Sequence, residues 1–279
     1  MKKIRLFWWN EVYYMGKPLQ NYGDLLGKYL VEKISNKEVE FVNPRKWHLK
    51  DYFQPIYATA GSILAHVNRH CVVWGSGIIL KDQVVKPARF LAVRGPQTSK
   101  RLLEQGYKVP EIYGDPALLL PLYYNPPIEK KYTLGIVPHY NDFKAVQQNY
   151  QNRKDLLIID LMTNDIEATT NLFLSCERIV SSSLHGLIVA HAYGIPAVWV
   201  QFSDKLFGDG IKFRDYFESV KLPTYQPEVS EQLPSIEELK RLLDTFPSLP
   251  EQKTISQLQK GLMDVCPFVE KMTLDGDRK

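Results

Sequence analysis

Short apolar runs alternate with amphipathic stretches along most of the first half of the chain. The runs that predict strands lie at residues 4–9, 39–42, 56–60, 71–74 and 90–93. Helical spacing of apolar residues is found at 25–34 and 98–105, with Asp24 as the predicted N-cap of the first helix. Strands that alternate with helices favour a parallel α/β sheet.

A proline-rich stretch at residues 121–127 interrupts this alternation and is the predicted linker. The later predicted strands lie at 133–137 and 156–161, and the later predicted helices at 142–150, 165–174, 215–220, 236–243 and 255–263. We therefore expect an α/β protein of two Rossmann-like domains facing a cleft. The predicted domains are residues 1–127 and 128–279, the second with the closing helices.

Residues 179–199 predict a strand, a polar turn, a helix that opens at Leu184-His185-Gly186, and a second strand. Ligands of parallel sheets bind where strands end and helices begin, and the free N–H groups of a helix N-terminus attract anions. His185 is therefore the leading catalytic candidate, and Ser183 belongs to a hydroxyl-rich anion cradle with Leu184 and Gly186. The alternative is a capping or core histidine bonded to backbone groups.

Two other strand ends carry chemically useful side chains. His139 follows the strand predicted at 133–137 and is a second catalytic candidate, with a simple turn residue as the alternative. Arg94 ends another strand and suits a bidentate clamp on a carboxylate or phosphate, with a surface salt bridge as the alternative. The helix that follows Gly95 and Pro96 places a second anion-favouring terminus beside it.

Two glycine-bearing turns contribute further donor-binding candidates. Ser76 and Gly77 allow close approach of the backbone to a ligand, with a plain tight turn as the alternative. Lys212 and Arg214 follow a glycine-bearing loop at 207–210 that could close over an anion. A solvated helix start is the alternative for this pair.

Composition narrows the class of protein and its partners. The 279 residues are 44% hydrophobic and 24% charged, with a net charge of +4, which is typical of a globular protein. The small, dispersed positive excess and the lack of a recognition motif argue against nucleic acid as a partner. Apolar runs stay well short of the roughly 20 residues of a membrane helix. Three distant cysteines without metal-ligand spacing predict a reduced, cytoplasmic compartment and no metal.

Six short motifs occur in a fixed order over roughly residues 1–220. They are Asn21-Tyr22-Gly23-Asp24, Gly75-Ser76-Gly77, Val93-Arg94-Gly95, Gly114-Asp115-Pro116, Gly135-Ile136-Val137-Pro138-His139 and Ser183-Leu184-His185-Gly186. Together they resemble the bacterial polysaccharide pyruvyl transferase family. The resemblance implies a two-domain arrangement similar to glycosyltransferase-B. It also implies transfer of pyruvate from phosphoenolpyruvate to two hydroxyls of a surface polysaccharide or its precursor, as a ketal. Phosphoenolpyruvate is then a co-substrate, and no other cofactor is expected.

The resemblance also implies site roles. Arg94 and His185 would occupy donor-binding and catalytic positions, while Asn21, Asp24 and Trp9 are assigned to the acceptor. Trp9 could stack on a sugar ring, with strand-core packing as the alternative. Many members of the family carry Arg-Leu-His where this chain has Ser183-Leu184-His185, so Lys212 or Arg214 would have to supply the cation.

The expected partners are phosphoenolpyruvate and a saccharide acceptor, which is often lipid-linked in such enzymes. This would place a cytoplasmic protein at the inner face of the membrane, although the sequence shows no amphipathic anchor. Two other functions stay open: a glycosyltransferase that uses a nucleotide-sugar, and a sugar-binding protein without catalysis.

Overall fold

The computed structural model describes residues 3–151, 153–229 and 232–269. The strands are β1 (Ile4–Phe7), β2 (Gln20–Asn21), β3 (Val39–Phe41), β4 (Ile56–Ala58), β5 (Cys71–Trp74), β6 (Arg89–Ala92), β7 (Leu134–Val137), β8 (Leu156–Ile158), β9 (Met162–Thr163), β10 (Ile179–Ser181) and β11 (Ala197–Trp199). The α-helices are α1 (Glu11–Met15), α2 (Tyr22–Ser35), α3 (Pro96–Glu104), α4 (Leu120–Tyr123), α5 (Phe143–Tyr150), α6 (Ile166–Leu174), α7 (Leu184–Ala192), α8 (Ile211–Ser219), α9 (Ile236–Thr245) and α10 (Gln252–Asp264).

Two parallel sheets form the framework. The first has the strand order β3-β1-β4-β5-β6 and the second the order β11-β10-β7-β8, and all pairs within both are parallel. The apolar runs thus form parallel strands in a mixed α/β fold, as predicted. Because parallel strands end at the same edge of their sheet, β6, β7 and β10 bring Arg94, His139 and the turn before His185 to sheet edges.

The two halves of the chain are joined by contacts that no local sequence pattern indicated. Strand β2 pairs antiparallel with β9, although about 140 residues separate them. The ring of Tyr22 stacks on Phe173 at a centroid distance of 5.6 Å. Helix α10 returns to the first half, where Trp74 donates its indole N–H to the carbonyl of Leu262 at 2.9 Å. One core cluster therefore contains residues of both halves; the arrangement of two domains about a cleft, and their boundary at 127/128, stay predictions.

The start of α2 differs from the prediction. Asn21, with an extended backbone, is the N-cap, and its side-chain oxygen accepts a hydrogen bond from the Gly23 N–H at 3.0 Å. The helix therefore begins three residues before the predicted start, and Asp24 lies inside its first turn. The prediction that Asp24 caps α2 was wrong because an asparagine earlier in the same turn satisfies the free amide.

Three other element boundaries differ from the predicted ones, each for a physical reason. Strand β1 ends at Phe7, so Trp9 lies in the turn before α1. Helix α8 begins at Ile211, because the left-handed Gly210 turns the chain directly into it; Lys212 and Arg214 therefore lie on a helix. The predicted linker begins within α4, next to the buried Leu119 and Leu120. Within the described residues, no helix combines the length and apolar character that crossing a membrane requires.

Candidate functional site

The N-terminus of α7 lies directly after the end of β10. Ser183 is its N-cap but makes no side-chain capping bond, and its own N–H donates to the Ser181 hydroxyl at 3.0 Å. The amides of Leu184, His185 and Gly186 in the first turn have no intrahelical acceptor. A side chain at Gly186 would overlap the Ser181 hydroxyl. This turn therefore offers free N–H groups and the positive end of a helix, as the sequence predicted.

His185 is held between two elements of the first half of the chain. Its Nε2 lies 3.6 Å from Oδ2 of Asp115 and is buried without a hydrogen bond. Its Nδ1 faces Gly23 in the first turn of α2, where any Cβ would overlap the imidazole. The absence of a side chain at Gly23 thus makes room for the ring, and the two halves together fix its position.

Asp115 is a functional candidate that the reasoning from residues did not assign. It is wholly buried and caps the short 3-10 helix Pro116–Leu119, where Oδ1 accepts from the Ala117 N–H at 3.0 Å. Its Oδ2, which faces His185, also accepts weakly from the Gly61 N–H at 3.5 Å. The signal was present in the motif Gly114-Asp115-Pro116, but its proximity to His185 depends on the packing of α7.

Asp24 is a second carboxylate beside His185. Burial raises the pKa of its carboxyl to about 7, against the opposing influence of His185, Lys212 and Lys17. Glu11 contributes a smaller increase. A carboxyl with this pKa exchanges a proton near neutral pH, so Asp24 is suited to acid–base chemistry as well as to binding.

Lys212 brings a cation to the same region. Burial lowers the pKa of its amine to about 8, the positive charge of Arg94 lowers it further, and Asp24 raises it. Among the described residues, no carboxylate comes within ion-pair distance of Lys212. A cation that is removed from water and lacks a close counter-ion favours an anionic ligand.

His139 lies at the end of β7, where its backbone N–H donates to the Ser182 hydroxyl at 2.8 Å. Burial lowers the pKa of its imidazole to about 4, and the charges of Lys212 and Lys17 lower it further. The ring is therefore neutral at physiological pH. Lys17 itself pairs with Glu11 at 2.9 Å and lies 3.7 Å above the ring of Tyr140.

Arg94 is wholly buried beneath this region. Its guanidinium donates to Asp215 through Nε at 2.9 Å, to the Ser62 hydroxyl at 2.6 Å and to the Ile78 carbonyl at 2.7 Å. Asp215 also accepts from the N–H and hydroxyl of Thr98, in the first turn of α3. The sequence predicted an anionic ligand at Arg94 and at the N-terminus of α3. In the structure the carboxylate of Asp215 occupies this place.

The other donor candidates lie in different surroundings. Ser76 is buried and donates to the Gly61 carbonyl at 2.8 Å, while Gly77 packs directly against the Arg94 guanidinium. Both shape the turn around Arg94. Arg214 is exposed and lines a separate cavity of about 250 Å³ with Trp199 and other residues. Of the two cations on α8, the structure therefore brings only Lys212 to Asp24 and His139.

The acceptor candidates lie around the start of α2 and before α1. Asn21 is occupied as the cap of α2. Trp9 is half-buried and stacks on Tyr14 at a centroid distance of 4.6 Å. His191, on the same helix as His185, has no part in this site, because both ring nitrogens contact core partners, the Tyr216 hydroxyl and the Ala197 carbonyl. The roles of Asn21, Asp24 and Trp9 toward an acceptor stay predictions.

Comparison with known proteins identifies relatives of this chain. The model of the family described as polysaccharide pyruvyl transferase matches residues 21–204, which include Asp24, Arg94, His139 and His185. The chain is also similar to the uncharacterized protein L143 of Acanthamoeba polyphaga mimivirus, with 36% identity over 213 residues. That alignment covers 74% of this chain and 72% of the viral protein.

Proposed function

The chain belongs to the polysaccharide pyruvyl transferase family, and from this premise we propose that it transfers pyruvate from phosphoenolpyruvate to two hydroxyls of a saccharide, forming a ketal. The observation that carries the proposal is the convergence of Asp24, His185 and Lys212 at the N-terminus of α7. Asp24 and His185, which can exchange protons, thus lie beside the unpaired amine of Lys212. This reaction requires a proton donor, a proton acceptor and a cation.

The donor would bind through positive charge. Phosphoenolpyruvate carries a carboxylate and a phosphate, and the site supplies Lys212 and the free amides of the first turn of α7. In this arrangement Arg94 supports the site from below, because its donors already engage Asp215, Ser62 and Ile78. Lys212 supplies the cation that Ser183 lacks.

The reaction then proceeds through two additions to the same carbon. Protonated His185 delivers a proton to the methylene carbon of the donor, and a sugar hydroxyl attacks the central carbon. The bond from that carbon to the phosphate oxygen breaks, and phosphate leaves with the electron pair. The second hydroxyl closes the ketal. Of the two protons that the hydroxyls release, one replaces the proton given to carbon and the other leaves with phosphate.

Asp24 and Asp115 have different parts in this scheme. Ionised Asp24 accepts the proton of the attacking hydroxyl, a step for which a pKa of about 7 is suited. Asp115 acts as a positioning residue, because its buried carboxylate faces Nε2 of His185 and favours a proton on that nitrogen.

The test is turnover of the full chain with phosphoenolpyruvate and a panel of galactosides and amino sugars. We expect phosphate release in step with a sugar product that carries a ketal-linked pyruvate, identified by mass and NMR. His185→Gln should lower kcat by about 10²–10⁴-fold, whereas the control His70→Gln, at a half-buried position before β5 and outside the site, should leave it unchanged.

Two outcomes would overturn the proposal. Consumption of a nucleotide-sugar, with thermal stabilisation by nucleotides and not by phosphoenolpyruvate, would identify a glycosyltransferase. Saccharide binding without phosphate release over the whole acceptor panel would identify a binding protein. Asp115→Asn adds a finer test, since a positioning role predicts a lower kcat with little change in the KM for phosphoenolpyruvate.

A further inference from the structure

Large apolar side chains are exposed together in the segment 45–53, between β3 and β4. Trp47 is 68% exposed and Phe53 is 80% exposed, and Leu49 and Tyr52 between them are also exposed. We call residues 45–53, with the neighbouring Arg69 and Lys86, the basic–aromatic surface. Clusters of exposed apolar side chains of this kind mark protein or membrane contacts.

The segment is held in place by buried polar contacts, so the exposure of its aromatic residues is built into the fold. Asp51 is buried and pairs with Arg5 at 2.5 Å, and its other oxygen accepts from the His48 N–H at 3.1 Å. Asn68 donates to the carbonyl of Pro44 at 2.7 Å. With Asp51 and its neighbours fixed inward, the intervening apolar residues point outward.

The charge around these aromatic residues is positive. A cavity of about 370 Å³ is lined by Arg45, Lys46, Trp47, Arg69 and Lys86, among others. None of these four cations pairs with a carboxylate in the part of the chain that the structure describes. The acidic residue in the cavity wall, Asp51, is already neutralised by Arg5. The cavity is therefore suited to a phosphate group.

The basic–aromatic surface contacts α1, because the amine of Lys46 lies 5.2 Å from the ring centroid of Tyr13 on that helix. The cavity itself is lined by His70 and Lys86, which lie before β5 and β6. Since these strands are parallel and Arg94 follows β6, the cavity lies toward the sheet edge opposite to the candidate site.

We propose that the basic–aromatic surface docks onto an anionic lipid bilayer. Trp47, Tyr52 and Phe53 would lie at the level of the headgroups, where amphipathic aromatic rings are preferred, and Arg45 and Lys86 would contact lipid phosphates. The aliphatic Leu49 in the same surface favours a bilayer over a soluble polyanion, which offers no apolar layer. The proposal does not depend on the chemistry of pyruvyl transfer.

The test measures binding of the full chain to vesicles, one set of phosphatidylcholine alone and one with an equal part of phosphatidylglycerol. We expect binding to the anionic vesicles that weakens with salt, and quenching of tryptophan fluorescence by brominated lipid. Trp8, Trp74 and Trp199 are buried, and Trp9 is half-buried and stacked on Tyr14, so Trp47→Ser should remove most of the quenching. Arg45→Gln with Lys86→Gln should weaken binding by about 25-fold, because each cation at an anionic surface contributes about fivefold.

Matched control variants distinguish docking through this surface from nonspecific adsorption to vesicles. Leu103→Ser with Leu122→Ser removes exposed apolar side chains elsewhere, and Lys144→Gln with Lys253→Gln removes exposed charges elsewhere. Both control variants should bind like the wild type. Equal binding to neutral vesicles or quenching undiminished by Trp47→Ser would overturn the proposal. Equal losses in the controls, or retention only by a soluble anionic polysaccharide, would also overturn it. Because binding is read without turnover, failure of the proposed function would not affect this result.

Discussion

The guanidinium of Arg94 and the carboxylate of Asp215 form an ion pair, with 2.9 Å between Nε and Oδ2, in which both side chains are wholly buried. The partners are 121 residues apart in sequence, one after β6 and the other on α8. Asp215 therefore joins the first half of the chain to the helix that carries Lys212. The same carboxylate also caps α3 through Thr98.

Asp215→Ala is expected to destabilise the protein by about 3–5 kcal/mol, because it leaves a buried guanidinium without its counter-ion. The free energy of unfolding from urea denaturation measures the loss. The control is Asp244→Ala, which removes the exposed partner of Arg178 at 2.5 Å and should cost less than about 1 kcal/mol. Similar losses in both variants would show that burial does not govern the Arg94 pair.

Gly23→Ala is expected to lower kcat by about 10²–10⁴-fold, the range for losing a general acid or base. The added Cβ would overlap the imidazole of His185 and push it from its place beside Asp115. Turnover with phosphoenolpyruvate measures the effect. Gly261→Ala in α10 is the control, since its Cβ would make an ordinary contact of 3.5 Å with Ile112. Full activity of Gly23→Ala would show that the ring does not need this space.

Asp24 should make the stability of the protein depend on pH. Because burial raises its pKa from 3.8 to about 7, the folded protein keeps a proton between these pH values that the unfolded chain releases. The group therefore lowers the free energy of unfolding as pH rises from 3.8 to about 7, by at most about 1.4 kcal/mol per pH unit. Above pH 7 its contribution is constant.

Asp24→Asn removes this dependence. Urea denaturation at several pH values should show the variant gaining stability relative to the wild type up to about pH 7, then a constant difference. The exposed Asp82→Asn is the control and should run parallel to the wild type. A constant difference between Asp24→Asn and the wild type across the whole range would contradict the raised pKa.

Lys212 should set the upper pH limit of donor binding. Burial, followed by the charge of Arg94, lowers the pKa of its amine to about 8, so the free protein loses this cation above that pH and the KM for phosphoenolpyruvate should rise. Lys212→Arg keeps its charge at high pH and should flatten this rise. Lys212→Gln should raise the KM at pH 7 by about 10- to 100-fold.

The control for Lys212 is Lys253→Gln on the exposed side of α10, which should leave the KM unchanged at each pH. Steady-state kinetics from pH 6 to about pH 9 would distinguish the variants. If Lys212→Gln binds the donor as well as the wild type does, another group must hold the anion.

Features that depend on residues close together in the sequence were predictable from the sequence. The apolar runs formed strands such as β5 and β7, and the helix predicted at 165–174 is α6, for which Asp165 is the N-cap. The junction before His185 was found because a strand, a turn and a helix follow each other within a few residues. Even at this level the cap of α2 was misplaced, because Asn21 and Asp24 are both good N-caps and only the backbone conformation chooses between them.

The partners of the site residues depended on the tertiary structure. The sequence identified His185, yet it gave no indication that Asp115 faces this ring. It also identified Arg94, but not the carboxylate of Asp215 that neutralises it. It also treated Lys212 and Arg214 alike, although α8 directs one to Asp24 and leaves the other at a separate cavity. The reason is physical: helical and strand patterns arise from contacts over a few residues, whereas burial, charge pairing and the resulting pKa values arise only when distant segments pack together.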